Sequence, residues 1–146
     1  MRTALSALLL AIGMAGCATG RISSEERLAL YRAHAGDPVG EFRYPGRLSG
    51  WTALGNDALA VWTKPNEAYL LELGGGCVDL DFANTILITN MMGRVSARSD
   101  RVQVIDSPRG FNIACRIQSI RPLQVKALRV SEKELREARG AEREVP

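Results

Sequence analysis

The chain has 146 residues, 46% of them hydrophobic, and a formal charge of +3. That length suits one domain with a modest core. Its basic residues are scattered among acids rather than gathered into a stripe, which excludes the footprint of a nucleic-acid-binding protein. A single histidine excludes a histidine-rich metal site, and no motif calls for a metal or a cofactor.

The chain opens with Arg2, an apolar run from Ala4 to Ile12, and then Met14-Ala15-Gly16-Cys17. A bilayer-spanning helix needs about 20 apolar residues, whereas a signal-peptide core needs about 7–15. The run therefore reads as an export signal. Its small-small-Cys ending resembles the lipobox of bacterial lipoproteins, with Met14 where Leu is usual. The resemblance implies that residues 1–16 are removed and that Cys17 becomes an acylated N-terminus. Two or more acyl chains give stable anchoring. Ala18 stands where many Gram-negative lipoproteins carry an inner-membrane retention Asp, so the expected location is the periplasmic face of the outer membrane. An ordinary secreted protein with an incidental Cys17 is the plainer alternative.

Residues 17–22 read as a lipidated tether. Ser23 and Glu26 have capping-box spacing, so a helix is expected through Ala33, ended by Gly36-Asp37-Pro38. From Val39 onward, short apolar runs alternate with turn residues. Strands are expected at Val39–Tyr44, Ser49–Leu54, Ala58–Thr63, Ala68–Leu73, Thr85–Thr89 and Phe111–Ile120, with one long or two short strands between Arg94 and Ile105. The loops Gly55-Asn56-Asp57, Lys64-Pro65-Asn66-Glu67 and Asp106-Ser107-Pro108-Arg109-Gly110 carry turn chemistry. Gln124–Val130 reads as a short final strand. A surface helix follows, with Ser131 and Glu134 at capping-box spacing, Glu132 and Arg136 as an i,i+4 pair, and Gly140 at its end. The expected architecture is mainly β within the α+β class: a small curled antiparallel sheet or barrel, with a short helix before it and a C-terminal helix. Residues 23–130 would form the domain and 131–146 a charged helix and tail.

With Cys17 spent on lipid, Cys77 and Cys115 remain. In an oxidising envelope compartment an even pair reads as a disulfide, with two buried free thiols as the alternative. Their spacing matches no CxxC redox or zinc pattern.

Other chemistry is sparse. Asp79 and Asp81 flank Leu80; on a strand both carboxylates would share one face, opposite Val78 and Phe82. Such a pair could bind a hard cation or share acid–base work, and a solvated face is the plainer reading. Trp51, Trp62 and Tyr69 lie on neighbouring expected strands. They could form an exposed sugar-stacking face or belong to the sheet core. His34, near the end of the first helix, reads as a helix-terminus residue rather than a catalytic base. Gly74-Gly75-Gly76 lacks the Lys-Ser/Thr ending of a phosphate loop and reads as a turn.

Trp51-Thr52-Ala53-Leu54-Gly55-Asn56-Asp57-Ala58-Leu59-Ala60-Val61-Trp62-Thr63 and Pro65-Asn66-Glu67-Ala68-Tyr69-Leu70-Leu71 resemble a family of short Gram-negative envelope proteins. Cys77 with Leu80, Cys115-Arg116-Ile117 and Ile120-Arg121-Pro122 extend the likeness over Asp37 to Leu128. The family is catalogued as a domain of unknown function, and many members carry lipoprotein signals. The resemblance implies one domain, supports the cysteine pair and assigns no catalytic residue. The expectation is a membrane-anchored periplasmic lipoprotein acting as a non-catalytic binding or structural module. Its partners would be the membrane, through the lipid anchor, and an envelope protein or cell-wall polymer. The rivals are an envelope hydrolase using carboxylates such as Asp79 and Asp81, and an accessory subunit of an envelope complex.

Overall fold

The computed structural model describes residues 21–144 apart from Phe111. The expected signal, Cys17 and most of the tether lie outside the described residues. In chain order the elements are α1 (Ser24–Ala33), β1 (Glu41–Arg43), β2 (Gly50–Ala53), β3 (Ala58–Lys64), β4 (Glu67–Leu73), a single 3-10 turn (Leu80–Phe82), β5 (Ile86–Ile88), β6 (Arg94–Ser96), β7 (Arg101–Val104), β8 (Ile113–Pro122) and α2 (Val125–Glu144).

Six strands form one antiparallel sheet in the order β2-β3-β4-β8-β7-β5, and β1 pairs with β6 in a separate ribbon. The larger sheet curls strongly into a half-barrel. The expected curled antiparallel sheet with flanking helices is thus observed. The Arg94–Ile105 stretch resolves into two strands in different sheets, split by a tight turn. There the buried Asp100 accepts hydrogen bonds from the Ser96 N–H (2.8 Å) and the Thr89 hydroxyl (2.7 Å).

Strand alternation assigns the two faces of the sheet. Leu59, Val61, Leu71, Val102, Val104, Cys115 and Ile117 point into the curl, where Phe42 and Val95 of the ribbon join them. Ile120 also points inward although it lies three residues beyond Ile117. A bulge accounts for this: Ile120 pairs with Leu71, Ser119 with Glu72 and Ile117 with Leu73, so Gln118 is the extra residue. The Gln118 side chain lies across Gly74, where a Cβ would come within 2.2 Å of its amide nitrogen.

The other face carries Ala58, Ala60, Ala68 and Leu70, packed under Leu28 and Tyr31 of α1 and Val125 and Leu128 of α2. The alanines keep this face shallow, so both helices approach the sheet closely. The capping box starts α1 as expected: the Ser23 hydroxyl accepts the Glu26 N–H at 3.1 Å, and the Ser23 N–H donates to the Glu26 carboxylate at 3.0 Å.

The C-terminal region departs from expectation. Gln124–Val130 is not a strand; one helix of 20 residues runs from Val125 through Ser131 and Gly140 to Glu144. Val125, Leu128 and Glu132 recur at helical spacing, and that period prevails over the capping-box spacing at Ser131. The expected Glu132–Arg136 pair is also absent, because Glu132 turns toward Tyr31.

Antiparallel connections place the turns at two opposite ends of the molecule. Gly55–Asp57, Gly74–Gly76, the 3-10 turn and the 106–110 loop share one end. The start of α1 joins them, since the Ser24 hydroxyl donates to Asp81 at 3.0–3.1 Å. The finish of α2 joins them too, through the Glu26–Arg139 ion pair. The 64–66 turn and the exit of β8 at Pro122 lie at the far end.

Candidate functional site

Cys77 and Cys115 form a disulfide across 38 residues, with their Cα atoms 5.5 Å apart. Both are buried in the curl, so the expected pairing is present and the free-thiol alternative is not. Gly75 and Gly76 adopt left-handed φ values of 78° and 71°, which turn the chain from β4 into Cys77. Gly74-Gly75-Gly76 is therefore a turn leading to the disulfide, as expected.

The two aspartates do not make a paired carboxylate site. Asp79 has a left-handed φ of 66° and Asp81 sits in the 3-10 turn, so strand alternation does not apply. The buried residue is Leu80, while Val78 and Phe82 are exposed, the reverse of a strand with an apolar inner face at Val78 and Phe82. Asp79 accepts a hydrogen bond from the buried Ser107 hydroxyl at 2.7 Å and faces Arg109 at 3.4 Å. Asp81 instead receives the Ser24 hydroxyl. One carboxylate pins the 106–110 loop and the other pins α1. Among the described residues, no cluster of three or more His, Cys, Asp or Glu could hold a metal ion.

The three aromatics also divide. Trp51 and Tyr69 flank Val61 in adjacent registers and lean into the curl, where Tyr69 stacks on Phe42 with ring centroids 4.6 Å apart. Trp62 is on the opposite face, edge-on to Tyr31 at 6.2 Å. A single exposed face made of Trp51, Trp62 and Tyr69 is therefore excluded by strand parity. His34 caps α1, as expected, and its Nε2 is 3.0 Å from the Ser131 hydroxyl of α2.

Trp62 and Tyr31 are instead two walls of a cleft of about 460 Å³ between edge strand β2 and helix α2. Ser49, Gly50 and Thr52 line the sheet side; Val125, Leu128, Arg129 and Glu132 line the helix side. The four α2 residues are at i, i+3, i+4 and i+7, one helix face. At the base the Tyr31 hydroxyl donates to Glu132 at 2.7 Å. Burial, reinforced by the Glu132 carboxylate, pushes the Tyr31 hydroxyl far above its ordinary range, so it stays a donor at physiological pH. Arg129 closes one rim by donating to the Pro65 carbonyl and to Asn66. The cleft thus offers an aromatic edge, a carboxylate and three hydroxyl-bearing residues, the mixture of one apolar wall and a few fixed polar groups typical of small-ligand pockets. Sequence reading missed it because its helix wall was read as a strand. The Val125, Leu128, Glu132 spacing was the available signal.

Residues 1–139 match the sequence pattern of a family of unknown function, DUF6491. The chain belongs to that family. No curated protein and no solved structure matches it. The DUF6491 match begins at the first residue and reaches Arg139 of α2, so it spans more than the Asp37–Leu128 stretch that carried the resemblance. Among the described residues, no helix is long and apolar enough to cross a membrane.

Proposed function

We propose that this DUF6491 chain is a lipoprotein of a Gram-negative envelope, anchored through acylated Cys17 and working as a non-catalytic binding module. The observation that carries the reading is the run Ala4–Ile12 followed at once by Met14-Ala15-Gly16-Cys17. The Cys77–Cys115 disulfide supports it independently, since such bonds persist in oxidising compartments. The divergence of Asp79 and Asp81 weighs against the carboxylate-hydrolase alternative. The contact site in this reading is the Trp62 cleft. The Tyr31 hydroxyl and the Glu132 carboxylate are already hydrogen-bonded to each other, which suits recognition of a polar envelope component more than proton transfer to a substrate.

Fractionation of cells expressing the full chain tests the anchor. Wild type is expected in the membrane pellet, released only by detergent, and Cys17→Ser as unprocessed precursor or soluble protein. Unchanged processing and membrane retention of Cys17→Ser would contradict the reading. In-cell photocrosslinking from position 66, on the cleft rim, is expected to recover one specific envelope component, and that adduct should disappear in Trp62→Ala.

A further inference from the structure

We infer that the end of the domain bearing the 3-10 turn and the finish of α2 docks against the phospholipid surface. This contact rests on the lipoprotein reading and adds a second attachment point to it.

The chain enters the described fold at Arg21–Ile22, six residues at most from the lipidated Cys17. An extended chain covers about 3.3–3.6 Å per residue, so this entry point stays within about 20 Å of the anchor. The end that carries it is the one fixed by Ser24–Asp81 and Glu26–Arg139. Phe82 follows Asp81 directly and is 79% exposed; Val78, on the other side of the turn, is 41% exposed. Phe82 is not on a loose loop. Leu80 is fully buried beneath it, and Cys77 is bonded to Cys115 in the core. A phenyl ring projecting from an anchored turn requires little further backbone ordering on contact.

On the other flank of the entry point, Ile22, Arg136, Arg139, Gly140 and Arg143 line a hollow of about 280 Å³. Of the carboxylates at this end, Glu26 and Glu142 pair with Arg139, Asp79 faces Arg109, Asp81 accepts the Ser24 hydroxyl and Asp106 accepts the Asn84 and Thr85 N–H, while Glu25 and Asp57 are exposed. Among the described residues, Arg136 and Arg143 hold no ion pair. Long arginine side chains can lay their stems on apolar surface and present the guanidinium to a phosphate. The end therefore presents an apolar wedge and unpaired guanidinium groups on either side of a short lipid tether. A tether this short holds the surface at millimolar effective concentration, so a contact too weak to recruit a free protein suffices. Docking at this end leaves the far-end turn at 64–66, on the cleft rim, pointing away from the bilayer.

The test uses the mature acylated protein in phosphatidylethanolamine–phosphatidylglycerol vesicles. An environment-sensitive fluorophore is placed by Asn84→Cys, beside the intact turn, or, at the far end, by Asn66→Cys. Headgroup-proximal nitroxide lipids are expected to quench the Asn84→Cys probe at least twofold more than the Asn66→Cys probe. Adding Arg136→Ala and Arg143→Ala should bring the two towards equality. Equal quenching in floated, acylated protein overturns the docking while leaving the anchor intact. A signal that depends on protein density rather than lipid composition overturns it in favour of a second copy of the chain. Failure to float, with Cys17 unmodified by mass spectrometry, overturns both readings.

Discussion

The two faces of the half-barrel sheet are built from adjacent residues on the same strands, yet they differ in kind. Inside the curl, Leu59, Val61 and Leu71 meet a disulfide and the β1–β6 ribbon in a closed apolar core. Outside it, Ala60, Ala68 and Leu70 meet two helices across a layer that stays open beside Trp62. The inner face is held covalently and is lined by buried apolar side chains. The outer face is held by packing and by a polar pair, Tyr31 with Glu132, and carries the Trp62 cleft. A small domain can separate stability from recognition in this way, by giving each its own side of one sheet.

The largest way to break this division is to open the disulfide. Cys115→Ala is expected to cost about 4 kcal/mol by loss of loop constraint. Chemical denaturation checks this, and no change in midpoint would show that the inner face holds without its crosslink. Neighbouring leucines then sharpen the contrast. Leu71→Ala and Leu70→Ala each remove a fully buried side chain, and truncations of this kind cost about 2–5 kcal/mol. The inner Leu71→Ala is expected at the upper end, because a crosslinked core cannot collapse onto the cavity. Leu70→Ala should fall lower, since α1 and α2 can settle inward.

A smaller effect is expected at the cleft. Tyr31→Phe keeps the edge contact with Trp62 and removes the donor to Glu132, at a cost of about 1 kcal/mol. Intrinsic fluorescence of Trp62 should shift in the folded state, whereas Cys115→Ala should leave it in place under conditions where that variant is folded. The mildest probe is acid. The Ser23 N–H holds Glu26, the Thr63 hydroxyl holds Glu67, and the Asn84 N–H holds Asp106 below their ordinary values of 4.5, 4.5 and 3.8. A lowered folded-state pKa stabilises above the unfolded value and loses that contribution as pH falls through the folded one. Stability should therefore be level from neutral pH to about 5 and decline as pH falls through the ordinary carboxylate values toward the lowered ones, as acid-dependent denaturation would show.

The inner face was largely legible in the sequence. Ile113, Cys115 and Ile117 alternate, the cysteines are even in number once Cys17 is set aside, and Ser23 with Glu26 announced α1. The outer face was not. Its wall at Val125–Glu132 mixes β-branched residues with a nearby Pro122, so local composition favoured a strand until helical spacing was weighed over the whole segment. Parity errors explain the rest. The bulge at Gln118 is invisible to alternation, and the left-handed Asp79 breaks the strand pattern that would have paired it with Asp81. Trp51 and Trp62 lie on neighbouring expected strands, and only strand register shows them on opposite faces.

The central claim, an acylated envelope domain locked by one disulfide, is tested most directly by intact-mass and peptide mass spectrometry of the full chain recovered from bacterial membranes without reduction. The expected result is a mature N-terminus at an acylated Cys17 together with a Cys77–Cys115 linked peptide. A chain that retains residues 1–16, or one cleaved elsewhere with Cys17 unmodified, would contradict it.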